Sequence, residues 1–304
     1  MKVLIFIIFI FILYFFIHKN KIQHFSNRNV KFGVMWANTV NIGDDFQTLA
    51  AINLLKKNNI HEYIFINREK LSEYDGEPVV LIMNGWYMHD LSKFPPSNKI
   101  TPIFISVYVE HEKLISQNID YFKKHEPIGC RDLSTKKLFE KYDIKAYFSG
   151  CLTLCFDEHK QKGNKNYIVD LKGSNGGTLS NKDINLNTKI NNLEYIEHNY
   201  FNDSEKNRLK YRLQEAEKIL NKYRKANLIL TSRLHVALPC RAFNTKVKFI
   251  HQNYYKDKRF KGLTEILNGG TRNINNIESN NDRRVINKFK RSINRKFSDL
   301  IKKH

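Results

Sequence analysis

The sequence VKFGVMWANTVNIGDDFQTLAAINLLKK, residues 30–57, joins a strand pattern to a helix pattern. Residues 30–36 form an apolar run of strand length, and residues 45–57 place apolar side chains on one broad helical face. Asp44 or Asp45 can cap the start of that helix. A strand followed directly by a helix is the repeating unit of α/β proteins, so this stretch predicts a parallel sheet covered by helices.

The same alternation continues along most of the chain. It predicts further strands at residues 62–66, 79–83, 103–109, 127–130, 146–148, 167–171, 193–198, 228–231 and 247–251. It predicts further helices at residues 114–124, 133–142, 204–223, 234–243 and 260–267. Because residues 163–165 separate two such sets, we expect two Rossmann-like domains facing a cleft, at residues 25–162 and 163–275.

Residues 1–24 predict a membrane anchor and a short linker. Residues 3–17 are an unbroken apolar run, which as a helix would extend about 22 Å, against about 30 Å for a hydrocarbon core. No small-residue cleavage motif follows the run, which favours an uncleaved single-pass anchor over a signal peptide. Basic residues after the run favour a cytoplasmic body, whereas a Golgi-type anchor would place the body in the lumen.

The chain of 304 residues has a formal net charge of +21 at pH 7. This charge suits nucleic acid, anionic lipid, an acidic glycan or a phosphorylated substrate as a partner, and a Lys-, Asn- and Ile-rich composition explains it equally well. Aromatic residues do not interleave with a basic stripe, so nucleic acid is disfavoured. Residues 276–304 predict a basic, partly amphipathic helix that lies either on an anionic membrane or in solvent.

The four cysteines do not have the spacing of a metal site. They form no C-x-x-C pair and no combination with histidines at zinc-ligand intervals. We therefore expect buried free thiols and no metal at Cys130, Cys151, Cys155 and Cys240.

Polar residues gather where the predicted strands end, which is where open parallel sheets bind ligands. The candidates for substrate binding are Asn41, Gly43, Asp44, Asn84, Gly85, Ser149, Gly150, Ser232 and Leu234. Gly43 permits a tight turn before the first helix, whose free amides could receive an anion. Alternatively, Asp44 simply caps that helix.

Three residues are the candidates for catalysis. Arg131 follows a short strand. Either Asp132 caps the next helix and Arg131 pairs with it on the surface, or Arg131 points into the cleft to hold a carboxylate or phosphate. Arg233 emerges from a strongly apolar strand and can hold an anion, assisted by the start of the next helix. His235, two residues later, can move a proton near neutral pH.

Several common enzyme motifs are absent from the sequence. There is no Gly-x-Gly-x-x-Gly after the first strand, no P-loop, no Gly-x-Ser-x-Gly elbow and no Asp-x-Asp pair. These absences argue against dinucleotide-dependent enzymes, NTPases, hydrolases of that type and metal-dependent glycosyltransferases.

Five segments together resemble the polysaccharide pyruvyl transferase family. They are NIGDDFQTLA at 41–50, GCRD at 129–132, YFSGC at 147–151, TSRLH at 231–235 and DKRFKGL at 257–263. The resemblance covers about residues 32–267 and implies a two-domain fold like that of GT-B glycosyltransferases. It implies transfer of the carbon skeleton of phosphoenolpyruvate to a sugar of a glycan, which gives a cyclic pyruvate ketal and phosphate with no further cofactor.

The resemblance also assigns residues to the donor site. The family's Arg-Leu-His signature corresponds to Arg233, Leu234 and His235, and its upstream arginine corresponds to Arg131. This chain departs from the family at residues 36–40, where WANTV replaces the Gly-rich turn of many members. That difference affects the expected contacts of the acceptor and of the loop after the first strand. It does not affect the donor motif.

Two other functions are compatible with the sequence. A GT-B enzyme that uses a nucleotide-sugar would bind that sugar in the same cleft and would not respond to phosphoenolpyruvate. A non-catalytic protein that binds anionic glycans or nucleic acid would lose affinity steeply as salt rises.

Overall fold

The computed structural model describes residues 30–87, 90–171, 193–199, 208–270 and 283–304. Within these ranges the chain is an α/β protein with two parallel sheets, as the alternating pattern predicts. The predicted anchor and linker, residues 1–24, lie outside the described residues. Among the helices that are described, none combines the length and the apolar character needed to cross a bilayer.

The first sheet has six strands in the order β2-β1-β3-β4-β5-β6. The strands are β1 (Lys31–Trp36), β2 (Ile64–Asn67), β3 (Val79–Tyr87), β4 (Ile100–Val109), β5 (Ile128–Cys130) and β6 (Ala146–Phe148). The helices of this part are α1 (Ile42–Lys57), α2 (Glu112–Ser116), α3 (Ile119–Lys124) and α4 (Leu133–Glu140). All its strand pairs are parallel, so the carboxyl ends of its strands share one edge.

The second sheet has four described strands in the order β10-β9-β7-β8, again all parallel. The strands are β7 (Asn166–Val169), β8 (Leu193–Ile196), β9 (Leu228–Thr231) and β10 (Lys246–Phe249). The helices that follow are α5 (Leu209–Lys225), α6 (Leu234–Phe243), α7 (Thr264–Leu267) and α8 (Arg283–Ile301). One apolar cluster includes Val34 of the first sheet and Ile229 of the second, so the two sheets share a core.

Two sequence predictions of local structure were wrong in detail. The helix predicted at 114–124 is divided into α2 and α3, because the side chain of Asn118 donates to Leu114 O at 2.9 Å and competes with the helical pattern. The helix predicted at 260–267 is a 3-10 turn, Lys258–Phe260, followed by α7. The apolar run at 152–156 is a buried 3-10 turn, Leu152–Cys155. All four cysteines are buried free thiols, as predicted.

The basic helix α8 is part of the folded body. Its buried residues Ile286, Ile293 and Phe297 belong to the shared apolar cluster, and the ring of Phe289 lies 5.5 Å from that of Phe148 in a T-shaped contact. The apolar face is therefore unavailable for insertion into a membrane. The opposite face is exposed and carries a stripe of cations at helical spacing, namely Arg284, Lys288, Arg291 and Arg295.

A buried ion pair joins the two halves of the molecule. Arg212 of α5 and Asp45 of α1 are both fully buried, with Nε–Oδ1 at 3.1 Å and Nη2–Oδ2 at 2.7 Å. The Nη1 group of Arg212 also donates to Thr39 O at 2.7 Å. Because both partners are desolvated, this geometry is strongly specified, and it fixes the loop before α1 against the second half.

Candidate active site

A cleft of about 420 Å³ lies where the carboxyl ends of the two sheets meet. Most of its lining side chains are arginines, histidines, aromatic residues or acidic residues. The lining residues are Thr39, Val40, Asn41, Asp44, Arg68, Trp86, Tyr108, Glu110, Arg131, His198, Arg233, Leu234, His235 and Arg259. The three catalytic candidates, with Asn41, Asp44 and Leu234, are therefore brought together in one cleft.

Arg131 is buried in the cleft wall with 3% exposure. Its guanidinium carbon lies 4.3 Å from the ring centroid of Tyr108, a stacked arrangement that holds the planar group in place. Asp132 is only a loose partner at 3.9 Å and instead caps α4, accepting a hydrogen bond from Thr135 N at 2.9 Å. Of the two interpretations of this segment, the cap is correct for Asp132, but Arg131 does not lie on the surface.

Asp170 orients Arg233 at the end of β9. The carboxylate of Asp170 accepts from Nε at 2.9 Å and lies 2.8 Å from Nη2. Ser232 does not line the main cleft: its hydroxyl donates to Asp170 O at 2.6 Å, and its side chain borders a smaller neighbouring cavity. Ser232 thus ties the ends of β7 and β9 together, while about a third of the Arg233 side chain remains exposed.

His235 begins α6 and contacts the first turn of α1. A Cβ atom at Gly43 would lie 2.9 Å from His235 Cβ and 3.0 Å from its Nδ1, so only glycine allows this approach. Asn41 caps α1 by accepting from Gly43 N at 3.1 Å. Burial, together with the charge of Arg131, lowers the pKa of His235 well below its usual value, so the imidazole is neutral at pH 7. Its Nε2 is buried without a hydrogen-bond partner among the described residues.

A β-bulge in β4 directs two side chains into the cleft. Ile105 and Ser106 both lie opposite the single residue Asn84 of β3, and Ser106 has a φ of 62°. One extra residue reverses the alternation of side chains along a strand. Tyr108 and Glu110 consequently line the cleft, where the hydroxyl of Tyr108 donates to Glu110.

Ser149 and Gly150, predicted to bind substrate, lie outside this cleft and support the bulge and α8. The Ser149 hydroxyl accepts from Ser106 N at 2.9 Å and donates to Cys130 O at 2.9 Å. Gly150 has a φ of 72°, and a Cβ there would lie 2.8 Å from the ring of Phe289. Both residues therefore act on the cleft only through the backbone that carries it.

Asn84 and Gly85 border a small recess beside the cleft. Asn84 donates to Gln47 O at 3.3 Å, and Gly85 has a φ of 91° at the point where β3 and β4 lose register. The recess is shared with Asp44, which accepts from Thr39 at 2.7 Å. These contacts support the loop that joins β1 to α1. Asn84 and Gly85 therefore lie next to the cleft and do not line it.

Sequence reasoning missed several residues of the cleft. Arg68, with 2% exposure, follows β2 and lies 5.4 Å from the ring centroid of Trp86, the residue before the last of β3. Arg259 is held by the carboxylate of Asp257, with Nε 3.0 Å from either oxygen. Arg68 could have been found from its position just after a predicted strand. Arg259 could have been found because it lies within the family-like segment at 257–263. His198 had no such signal, because it was predicted as the last residue of a strand.

The cleft suits a small, strongly anionic ligand. Four arginines line it among the described residues, and two of them are almost completely buried. Planar guanidinium groups match carboxylate and phosphate geometry, and they act more strongly where water is excluded. Within the described ranges, no group of three or more His, Cys, Asp or Glu side chains could hold a metal ion.

Comparisons with known proteins identify the family of the chain. The family model "Polysaccharide pyruvyl transferase" matches residues 41–250. Among solved structures, the crystal structure of a functionally uncharacterized protein of Klebsiella pneumoniae aligns with 80% of this chain and 92% of its own, at 15% identity and a TM-score of 0.49. No curated protein matches the chain. Because the family model spans well over half of the sequence, and spans it through both sheets, this protein belongs to the polysaccharide pyruvyl transferase family.

Proposed function

We propose that the protein transfers the pyruvyl group of phosphoenolpyruvate to a sugar of a glycan and forms a pyruvate ketal. The observation that carries this proposal is the convergence of Arg131 from the first sheet with Arg233 and His235 from the second in one cleft. A small ligand with two anionic groups would be held from both sides there. The same arrangement of two sheets around a cleft supports a GT-B-like architecture.

The donor would be bound mainly by guanidinium groups. Arg131 is already fixed by stacking on Tyr108, and Arg233 is fixed by Asp170, so neither loses much side-chain freedom when it binds an anion. Arg259 adds a third positive charge at the same end of the cleft. Together these groups would neutralise the carboxylate and phosphate of phosphoenolpyruvate, with Leu234 in contact between them.

His235 would carry the proton chemistry. Ketal formation joins two sugar hydroxyl oxygens to the central carbon of the donor and breaks its bond to phosphate. One hydroxyl proton goes to the terminal enol carbon, and the other leaves with the phosphate. A neutral imidazole can accept the first proton and deliver it, which matches the lowered pKa of His235.

The acceptor would enter from the side of the first sheet. Thr39, Val40, Asn41 and Asp44 line that side of the cleft. Thr39 and Val40 belong to residues 36–40, where the chain differs from the Gly-rich turn of other members. Amide and carboxylate groups pair well with sugar hydroxyls. We therefore assign the glycan to this loop, and we assign no metal or further cofactor to the reaction.

We also propose that residues 3–17 anchor the enzyme in a membrane as a single span. The apolar run in the sequence supports this, and the exposed cationic stripe of α8 is complementary to anionic headgroups. Full-length protein should stay in the membrane fraction after washes with high salt and alkaline carbonate, and a variant lacking residues 3–17 should not. Release of the full-length protein by salt alone would contradict an inserted anchor.

The donor assignment can be tested by thermal stability of the full-length protein with and without phosphoenolpyruvate. Binding to the native state should raise the midpoint for wild type and for the exposed control Arg295→Ala, but not for Arg233→Ala. A shift with a nucleotide-sugar instead of phosphoenolpyruvate would identify a glycosyltransferase. Equal shifts for all three proteins would show that binding does not involve the cleft.

A further inference from the structure

His198 forms part of the cleft wall, and the proposed reaction assigns it no role. It lies two residues after the end of β8 and is 1% exposed. Its carbonyl accepts from Ile42 N at 3.4 Å, and the next residue, Asn199, forms a bridge with Asn41. The segment is therefore attached to the start of α1, which keeps the imidazole at the junction of the two sheets.

The tautomer of His198 is assigned from the hydrogen bond that its ring makes to another described residue. Its Nδ1 lies 3.2 Å from the hydroxyl of Tyr223, which is fully buried in α5. Burial raises the pKa of Tyr223 well above its usual value, so this hydroxyl keeps its proton. Nδ1 is the partner that the described residues offer to that proton. We assign the hydroxyl as the donor of this pair, and this assignment leaves the imidazole proton on Nε2.

The Nε2 atom of His198 is buried and has no hydrogen-bond partner among the described residues, and His198 is one of the residues that line the cleft. An unsatisfied buried donor is unfavourable because it has lost its hydrogen bond to water, so such groups in native structures call for a ligand or water. Burial and the nearby charge of Arg233 lower the pKa of His198 to about 3. The ring therefore stays neutral at physiological pH, and because its Nδ1 is already paired with the Tyr223 hydroxyl, it offers no free acceptor nitrogen to serve as the base that His235 provides.

We infer that His198 is a further substrate-contacting residue, which donates its Nε2 proton to an anionic oxygen of the donor substrate beside Arg233, and that Tyr223 is the positioning residue that fixes this tautomer. The inference rests on the proposed function. It divides the work of the two histidines in the cleft. His235 moves protons, whereas His198 is a fixed neutral donor that stabilises negative charge, like an amide in an oxyanion hole.

Two substitutions of His198 separate this role from a packing role. The amide nitrogen of glutamine reaches the position of Nε2, whereas asparagine reaches only the position of Nδ1. His198→Gln should therefore keep the dissociation constant for phosphoenolpyruvate within about threefold of wild type. His198→Asn should raise it roughly tenfold to a hundredfold, as expected for loss of a hydrogen bond to a charged group. Titration calorimetry of the full-length proteins with phosphoenolpyruvate measures both values.

Tyr223→Phe tests the positioning role. Loss of the hydroxyl frees the imidazole to place its proton on Nδ1, so phosphoenolpyruvate should bind several-fold more weakly. In the double variant Tyr223→Phe/His198→Asn, the tyrosine substitution should add nothing further, because the Nε2 donor is already gone. A purely structural role for Tyr223 would instead give additive losses.

The outcomes distinguish the inference from the proposed function. If wild type binds phosphoenolpyruvate and both His198 variants bind equally well, His198 is not a donor contact and the proposed function stands. If His198→Asn and His198→Gln weaken binding equally, the role is packing and the inference is overturned. If wild type does not bind phosphoenolpyruvate, both proposals fail. Weakened binding in the asparagine variant alone supports the inference.

Discussion

Gly43 and His235 are in contact across the two halves of the molecule, with room for no side chain on the glycine. A built Cβ would lie 2.9 Å from His235 Cβ, closer than non-bonded carbon atoms approach in proteins. The start of α1 therefore defines where the imidazole of α6 can lie. The position of His235, the candidate proton carrier, therefore depends on Gly43, which has no reactive side chain.

We expect Gly43→Ala to impair turnover more than stability. The methyl group must displace His235 or the first turn of α1, at a cost on the order of 1–3 kcal/mol for overpacking. A displaced imidazole should lower kcat at least tenfold in a phosphate-release assay. Gly270→Ala is the matched control, because a Cβ there meets nothing within 4 Å. Equal activity of the two variants would show that this contact does not position His235.

Binding of phosphoenolpyruvate should be accompanied by fractional proton uptake on the acidic side of neutral pH, while enough of His235 stays neutral at pH 7 to accept the hydroxyl proton. In the free protein, burial and neighbouring arginines hold the pKa of His235 well below 6.5, so the ring is neutral. A bound trianion opposes those arginines and raises this pKa. Calorimetry in buffers of different ionisation enthalpy measures the protons taken up, and His235→Gln should abolish the uptake. An uptake that persists in this variant would assign the proton to another group.

The stability of the free protein should fall as the pH drops below 6.5. The pKa of His198 is about 3 in the folded state, against an ordinary value of 6.5, so below pH 6.5 the unfolded chain binds the proton more readily. At pH 5 this single group costs about 2 kcal/mol, from about 1.4 kcal/mol for each unit of pKa difference. Urea unfolding of wild type and His198→Gln at pH 7.5 and pH 5 should show a smaller loss in the variant. The same loss in both proteins would refute the assignment.

Ser149→Ala should disturb the cleft without removing any group from it. The variant loses the acceptor for Ser106 N, leaving a buried amide unsatisfied at a cost of about 1–3 kcal/mol. The bulge would then hold Tyr108 less firmly beneath Arg131, so the dissociation constant for phosphoenolpyruvate should rise. Ser116→Ala, at an exposed serine of α2, provides the comparison. Unchanged affinity with reduced stability would limit Ser149 to a structural role.

The sequence was sufficient to predict the strands and the edge of the sheets where polar residues meet. Apolar runs of strand length depend on local composition, and parallel order places the residue after each strand at one edge, so Arg131 and Arg233 could be expected to converge. The burial of Arg131 could not be predicted, because it depends on Tyr108. The extra residue at Ser106 that turns Tyr108 toward the cleft leaves no mark in the hydrophobic pattern.

Long-range contacts explain the other differences between expectation and structure. Ser149 and Gly150 follow a strand, as ligand-binding residues do, but the bulge and α8 occupy them. The amphipathic pattern of α8 predicted a helix correctly, yet it did not reveal that Phe289 and Phe297 would find an apolar surface within the same chain. Likewise, His198 became a cleft residue only because its segment is attached to the start of α1.

The buried pair of Arg212 and Asp45 has a consequence for how the protein denatures. Opening the two sheets away from each other would break this ion pair together with the apolar core that the sheets share, so neither half separates by itself at low cost. Heating should therefore give one calorimetric transition whose van't Hoff enthalpy equals the measured enthalpy. A protein built from two sheets should melt as one cooperative unit.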